Sequence, residues 1–251
     1  MRTLAPPGRQ GPLFLFTACI IALFSVILLY YSPGLPGNTI ALGLASFVVL
    51  AVLMEAFPLS IPLAKAHLAL SGTIFSALIL LFSPTWAAIA ATAALLISEL
   101  IFHRRSLSKK LFNSIQSGFS VLIAAIVFNV INGGPGLDDT PAFFIGATVA
   151  FITYWLVNTW LVSFGAYILY GQSPYRFWQS NFRWALFYEL TSAPIALAVA
   201  YAYQELWIIG LLLLTLPILM VRLAYSQYLQ LKQTYRETVR TLVKIIEMHD
   251  P

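Results

Sequence analysis

"SPTWAAIAATAALLISELIFHRRSLSKKLFNSIQSGFSVLIAAIVFNVIN" occupies residues 83–132, and its reading decides the fold. Two apolar runs, 85–102 and 111–131, flank the basic loop "HRRSLSKK" at 103–110. Each is close to the about 20 apolar residues with which a helix crosses roughly 30 Å of hydrocarbon. The "SP" at 83–84 makes a tight turn, with Ser83 as cap and Pro84 as first helical residue.

Working outward, the same pattern recurs. Apolar runs at 12–31, 39–57, 66–82, 141–170, 184–203 and 206–223 bring the expected spans to eight. Turns at "SPGLPGN" (32–38) and "NGGPGLDDT" (132–140) separate them, and Thr140–Pro141 repeats the cap-plus-proline start. "PLSIPLAKAHLAL" (58–70) carries two prolines and alternates Leu59, Ile61, Leu63, which suggests a short extended or re-entrant piece. The sixth run is long and must tilt, kink or protrude. "GQSPYRFWQSNFR" (171–183) reads as an aromatic, basic interfacial loop. Two stretches, "LFNSIQSGFSVLIAAIVF" and "LFYELTSAPIALAVAY", echo each other faintly, as a parallel duplication would.

Composition agrees. Of 251 residues, 60% are hydrophobic and 9% charged, against roughly 25% charged in an average soluble domain. Mean hydropathy is +0.85. The solvent for most of this chain is lipid, so the net charge of +5 does not point to nucleic acid. The N-terminal run is too long for a signal-peptide core and has no small-residue cleavage site, so it reads as an uncleaved span. The single cysteine, Cys19, can form no intrachain disulfide and lies in an apolar run.

Orientation tests the parse. With the N-terminus in the cytoplasm, all 14 Lys and Arg residues fall on inside segments, from Arg2 and Arg9 through Lys65, Arg104, Arg105, Lys109, Lys110, Arg176 and Arg183 to the tail. The outside turns hold Asp138, Asp139 and Glu205 instead. The positive-inside rule therefore places both termini in the cytoplasm and the chain in a bacterial inner membrane. A six- or seven-span variant needs the sixth run or the Pro58 region read differently.

Ionisable groups within spans are functional suspects, because each costs at least about 2.5–3.5 kcal/mol at the bilayer centre. Glu55 lies at the cytoplasmic end of its span, near Pro58. Glu99 has His103 one turn later and an arginine pair beyond, and suits an interfacial salt bridge or a ligand site. Glu189 sits in "FYELTSAP" with Thr191, Ser192 and Pro194, where a broken polar helix could line a small-molecule or ion site or merely be kinked. Asn113 and Gln116 share a face three residues apart, and Asn158 lies mid-membrane. Amides there usually bond neighbouring helices, yet Glu99, Asn113, Gln116, Asn158, Glu189 and Thr191 form the best candidate ligand cluster. Lys65 and His67 mark an interface, and Trp155, Trp160, Trp178 and Trp184 suit aromatic belts, the first two with internal packing as the alternative. No catalytic constellation is visible, and histidines at 67, 103 and 249 build no metal centre.

The tail, "RLAYSQYLQLKQTYRETVRTLVKIIEMHDP" (222–251), turns polar. Ala224, Tyr228, Leu231, Tyr235, Thr238, Leu242, Ile245 and His249 keep the 4-3 spacing of a heptad seam, which predicts a parallel dimeric stalk; an amphipathic helix on the membrane surface is the alternative. Its polar faces carry Lys232, Arg236, Glu237, Arg240 and Lys244.

Here a resemblance emerges. "TVRTLVKIIEMHDP" resembles the opening of the bacterial HD and HD-GYP phosphohydrolase domain, through Thr238, Leu242, Glu247, Asp250 and Pro251. His249–Asp250 precedes that family's motif and is not its metal doublet. "MEAFPLSIPLAKAHLAL", "KKLFNSIQSGFS", "YWLVNTWLVSFGAYILYGQSP" and "NFRWALFYELTSAPIALA" are similar to membrane regions fused ahead of such domains. Diguanylate cyclase (GGDEF) domains also begin with Asp-Pro, but "LVKIIE" suits HD-GYP better.

The resulting expectation is an all-α polytopic membrane bundle (1–223) followed by a cytoplasmic coiled-coil signalling helix (224–251). The resemblance implies a downstream phosphodiesterase that hydrolyses cyclic di-GMP or a related phosphoester with a divalent metal pair, with this chain, which lacks the ligands, catalytically silent. A homodimer in lipid that responds to a small molecule or ion is expected, with a transporter or solute-binding subunit, or a passive anchor, as rivals.

Overall fold

Every backbone N–H and C=O in lipid must find a partner within the protein, and a helix supplies nearly all of them internally. The computed structural model describes residues 10–31, 34–56, 59–60, 67–68, 71–182 and 185–249. Its elements in chain order are α1 (Gln10–Tyr30), α2 (Asn38–Ala56), β1 (Leu59–Ser60), β2 (His67–Leu68), α3 (Ser71–Leu81), α4 (Pro84–Phe102), α5 (Leu107–Asn132), α6 (Pro141–Tyr170), α7 (Pro174–Asn181) and α8 (Ala185–His249). Arg2, Arg9, Lys65, Arg183 and Trp184 lie outside the described residues, as do the side chains of His67, Glu189 and Ile245.

Proline and glycine set the helix ends. Ser83 stands at the N-cap position of α4 with Pro84 in its first turn, but its hydroxyl makes no capping bond. Thr140 caps α6, its hydroxyl accepting from Phe143 N at 3.2 Å. Gly133 and Gly171 close α5 and α6 in the left-handed conformation, at φ 81° and 71°, which other residues reach only with strain.

Among the described residues, six helices are long and apolar enough to cross a membrane: Gly11–Tyr30, Asn38–Ala56, Pro84–Phe102, Leu107–Asn132, Pro141–Tyr170 and Thr191–Pro217. The third expected span, 66–82, is corrected. Its helix α3 has 11 residues, about 16 Å at 1.5 Å per residue, half the hydrocarbon thickness. His67–Leu68 is instead extended and pairs antiparallel with Leu59–Ser60, Leu59 opposite Leu68. The extended reading of 58–70 agrees with the structure at Leu59–Ser60 and His67–Leu68; the rest of that segment lies outside the described residues. Nearly all of α3 is buried, Thr73 to Leu80 without a break, so it is a core helix rather than a lipid-facing one.

The seventh and eighth expected spans fall within α8, which is interrupted at Trp207 (φ 54°, ψ −137°). A Cβ on Gly210 would lie 2.0 Å from the carbonyl oxygen of Ala202. In an unbroken helix residues eight apart are separated by about 12 Å, so the chain folds back sharply at Trp207. The segment expected as an interfacial loop contains α7, started by Ser173 and Pro174. Trp178 of α7 stacks on Trp160 (5.8 Å between centroids), lies 5.5 Å from Trp155, and donates from Nε1 to Thr159 Oγ1 at 3.0 Å. Trp155 is buried, so internal packing is its role.

The chain divides into two compact units, Met1–Leu211 and Leu212–Pro251. The first holds the core. Helices gain little from the hydrophobic effect inside lipid and associate through close packing of small residues. Helix α4 buries Ala87, Ala88, Ala90, Ala91 and Ala94, and α5 buries Ser114, Ser117, Gly118, Ala124 and Ala125. At Gly118 a Cβ would meet Thr92 Oγ1 at 1.8 Å and Ala88 O at 3.0 Å. An aromatic cluster, Phe47, Phe82 and Tyr203, ties α2 and α8 to the α3–α4 turn, with centroids 5.1–5.8 Å apart. The second unit is helical through His249, and Tyr228, Leu231, Tyr235, Val239 and Leu242 are exposed on it.

Gly118→Ala is expected to destabilise the chain by about 1–3 kcal/mol, because the added methyl must push α4 and α5 apart. Gly37→Ala, with nothing within 4 Å, serves as the neutral control in detergent unfolding. Equal midpoints for the two variants contradict the packing account.

The turn between α5 and α6 makes a second prediction. Asp138 accepts from Thr140 N at 2.7 Å and from the Thr140 hydroxyl, and these bonds hold its carboxyl below the usual value of 3.8. A depressed folded value means the contribution is present above pH 3.8 and is lost as pH falls through the lower folded value. The midpoint difference between the parent chain and Asp138→Asn should therefore shrink to nothing in strong acid; a difference that persists there refutes the linkage.

Candidate functional site

A carboxylate near the C-terminus of a helix opposes the macrodipole, so Glu99, three residues before the end of α4, needs compensation. Two groups supply it. Arg105 Nη1 donates to Glu99 Oε1 at 2.7 Å, and Asn113 Nδ2 donates to the same oxygen at 2.6 Å. Asn113 stands in the second turn of α5, whose N-terminus adds favourable positive potential. Gln116, one turn on, donates from Nε2 to Asn113 O at 3.3 Å. Glu99 and Gln116 are each 5% exposed, whereas the Arg105 side chain is 45% exposed.

The site is under-satisfied. Glu99 Oε2 and Gln116 Oε1 are buried without a hydrogen-bond partner, and so are Ser98 Oγ and Thr73 Oγ1. The hydroxyls are telling by contrast. Thr17, Thr92, Ser114, Ser120 and Ser163 each bond the carbonyl four residues back in their own helix, at 2.7–2.9 Å. Ser98 and Thr73 do not. Buried polar groups are nearly always paired, so two orphan oxygens within one bonded group, Glu99 Oε2 and Gln116 Oε1, call for an unseen water or ligand.

The candidates therefore divide. Glu99, Asn113 and Gln116 are brought together. Asn158 is half-buried on α6 with Oδ1 unpartnered, and no hydrogen bond joins it to Glu99 or Asn113. Thr191 is exposed near the start of α8 and has a partner of its own. Glu189 cannot be placed in the cluster, its side chain lying outside the described residues. The salt bridge suggested for Glu99 exists, and its partner is Arg105, one of the arginine pair beyond His103. The helix ends at His103, which is extended (φ −116°, ψ 126°), and the one-turn spacing no longer applies.

Some contacts had no distinguishing mark in the sequence. Ser71 at the start of α3 donates to Glu55 Oε1 at the end of α2, which closes the hairpin between them. Tyr201 donates to Asp139 at 3.1 Å across 62 residues. Such bonds depend on helix order and depth, which local patterns do not encode. Among the described residues no group of three or more His, Cys, Asp and Glu is placed to hold a metal ion.

Apolar helices long enough to cross a membrane and a buried, under-satisfied polar cluster between two of them are features of membrane sensor domains. Residues 38–236 match MASE9, a family of membrane-associated sensor domains, and the chain belongs to that family. No curated protein and no solved structure matches it.

Asn113→Ala is expected to cost about 1.5–3 kcal/mol, since it removes a hydrogen bond to a buried charged group. Arg105→Ala should cost about 0–1 kcal/mol, as half-exposed ion pairs contribute little. Thermal unfolding of the two variants in one detergent checks the order; the reverse order disproves this ranking.

Proposed function

We propose that this chain is the sensory membrane module of a bacterial inner-membrane HD-GYP-type phosphodiesterase. The stimulus binds at the Glu99–Asn113–Gln116 cluster, and its preference for one packing of the bundle is passed to the C-terminal helix. The observation that carries the signalling half is the exposed stripe Tyr228, Leu231, Tyr235 and Leu242, on a helix that continues to His249. Thr238, exposed on the same seam, softens it, and Ile245 falls on the next seam position by sequence. A parallel homodimer buries this stripe in a coiled coil, and a soft seam suits a helix that must rotate or slip.

The topology proposed has both termini in the cytoplasm and therefore an even number of passes; the third expected run, whose helix is 11 residues long, is not counted as a crossing. The downstream domain is proposed from the tail, "TVRTLVKIIEMHDP", as a hydrolase of cyclic di-GMP or a related phosphoester. Its divalent metal pair belongs to that domain. A GGDEF cyclase in its place leaves the sensor mechanism unchanged. A transporter is favoured by one observation, the short interrupted α3, because broken helices line solute sites.

Three measurements test this. A reporter fused after Pro251 should be active only in the cytoplasm. With Cys19→Ser as background, Leu231→Cys should cross-link between copies in native membranes, whereas Gln233→Cys, off the seam, should not. In the whole parent protein, Asn113→Ala should change cyclic di-GMP turnover several-fold without solute uptake appearing. A periplasmic reporter or equal cross-linking at both positions rejects the stalk; uptake with unchanged turnover favours transport.

A further inference from the structure

Around Glu99 one guanidinium nitrogen and two amide nitrogens are committed to acceptors, while two side-chain oxygens of the same bonded group are not. Arg105 Nη1 and Asn113 Nδ2 both end on Oε1, and Gln116 Nε2 ends on Asn113 O. Turning either amide over would set its oxygen against another oxygen, so both orientations are fixed by their partners. What remains is Glu99 Oε2 and Gln116 Oε1, each buried and unpartnered. Both belong to one bonded chain through Asn113, and Gln116 shares a helix face with Asn113.

Whatever fills this place must donate or carry positive charge. Phosphates, carboxylates and carbonyls bring acceptors to acceptors and are excluded. Soft transition metals want thiolate or imidazole, and the oxygens here suit hard cations. Calcium gathers about 6–8 oxygens, usually from several carboxylates. Here there is one carboxylate, already shared with Arg105, and one amide oxygen, far short of the donor set a divalent ion gathers.

Resting on the reading of this cluster as the sensor's ligand site, we propose that Glu99 Oε2 and Gln116 Oε1 bind a small monovalent cation of the Na+, K+ or NH4+ class. The cation competes with Arg105 for the Glu99 carboxylate. The two positive charges share one anion in a poorly screened place, so occupancy weakens the Arg105 pair and frees the loop 103–106 that connects α4 to α5. The site thereby turns ion concentration into loop release at the cytoplasmic side.

The test uses the full chain in nanodiscs, with NaCl, KCl or NH4Cl exchanged against choline chloride at fixed ionic strength. At least one small cation should raise the midpoint by about 2–4 °C over choline. Glu99→Gln should abolish the rise and Gln116→Leu should weaken it. Arg105→Gln should lower the half-saturating concentration about tenfold by removing the competing charge. Equal midpoints in all four salts mean that water alone fills the site and overturn the proposal. So does a response that survives unchanged in Glu99→Gln. Should Glu99→Gln fail to fold, Arg105→Gln decides alone, and an unchanged half-saturation rejects the competition. Cation binding with no effect on nucleotide turnover by the parent protein upholds the site and overturns the sensor reading. Turnover that responds to Asn113→Ala without any cation response does the opposite.

Discussion

The approach of α5 to α4 at Gly118 is the contact on which the rest of the bundle depends. There the backbone of one helix lies against Ala88 and Thr92 of the other with no side chain between them. In lipid this closeness replaces the hydrophobic effect as the source of association, because dispersion falls off steeply with distance. Gly165 against Phe112 and Gly43 against Tyr203 repeat the device between α5 and α6 and between α2 and α8. Once α4 and α5 are clamped antiparallel, Glu99 near the end of one and Asn113 near the start of the other must meet. The polar site is a consequence of apolar packing.

Much of this was legible in residues. Ser83–Pro84 and Thr140–Pro141 mark helix starts because proline tolerates only the first turn. Glu99, Asn113 and Gln116 stand out because polar groups in lipid are costly, and the structure joins all three. The third span was misread for a definable reason. Hydropathy weighs composition, and the run from Ala66 is apolar enough to span, but a short helix buried on all sides looks the same as part of a lipid-facing one. The salt bridge of Glu99 was legible too, since an arginine pair stands just beyond the end of α4. Trp207 is harder still: a bulky residue at positive φ has no sequence signature, and only the contact of Gly210 with Ala202 reveals the reversal.

The aromatic residues show the same limit. Belt and core tryptophans have one composition, and depth alone separates them. Trp178 leaves the expected interfacial segment and returns along α6 to Thr159, and in doing so turns Trp155 and Trp160 into a stacked clamp. The helix that carries it, α7, has no buried residue of its own and is held to α6 largely by this one indole.

A continuous route of packed elements leaves the polar site. Glu99 holds Asn113 on α5, Phe112 beside it fills the notch at Gly165 of α6, and α6 holds α7 through Trp178. Only three residues separate the end of α7 from the start of α8. Each joint is a discrete fit: a ring in a glycine notch, an indole in a clamp, an amide on one carboxylate oxygen. Interlocked contacts of that kind deform poorly by small amounts and rearrange between alternatives. A ligand at Glu99 can bias such a route only through unequal affinity for its two arrangements. The unpartnered Oε2 provides that inequality, because any arrangement that offers it a donor gains what the present one lacks.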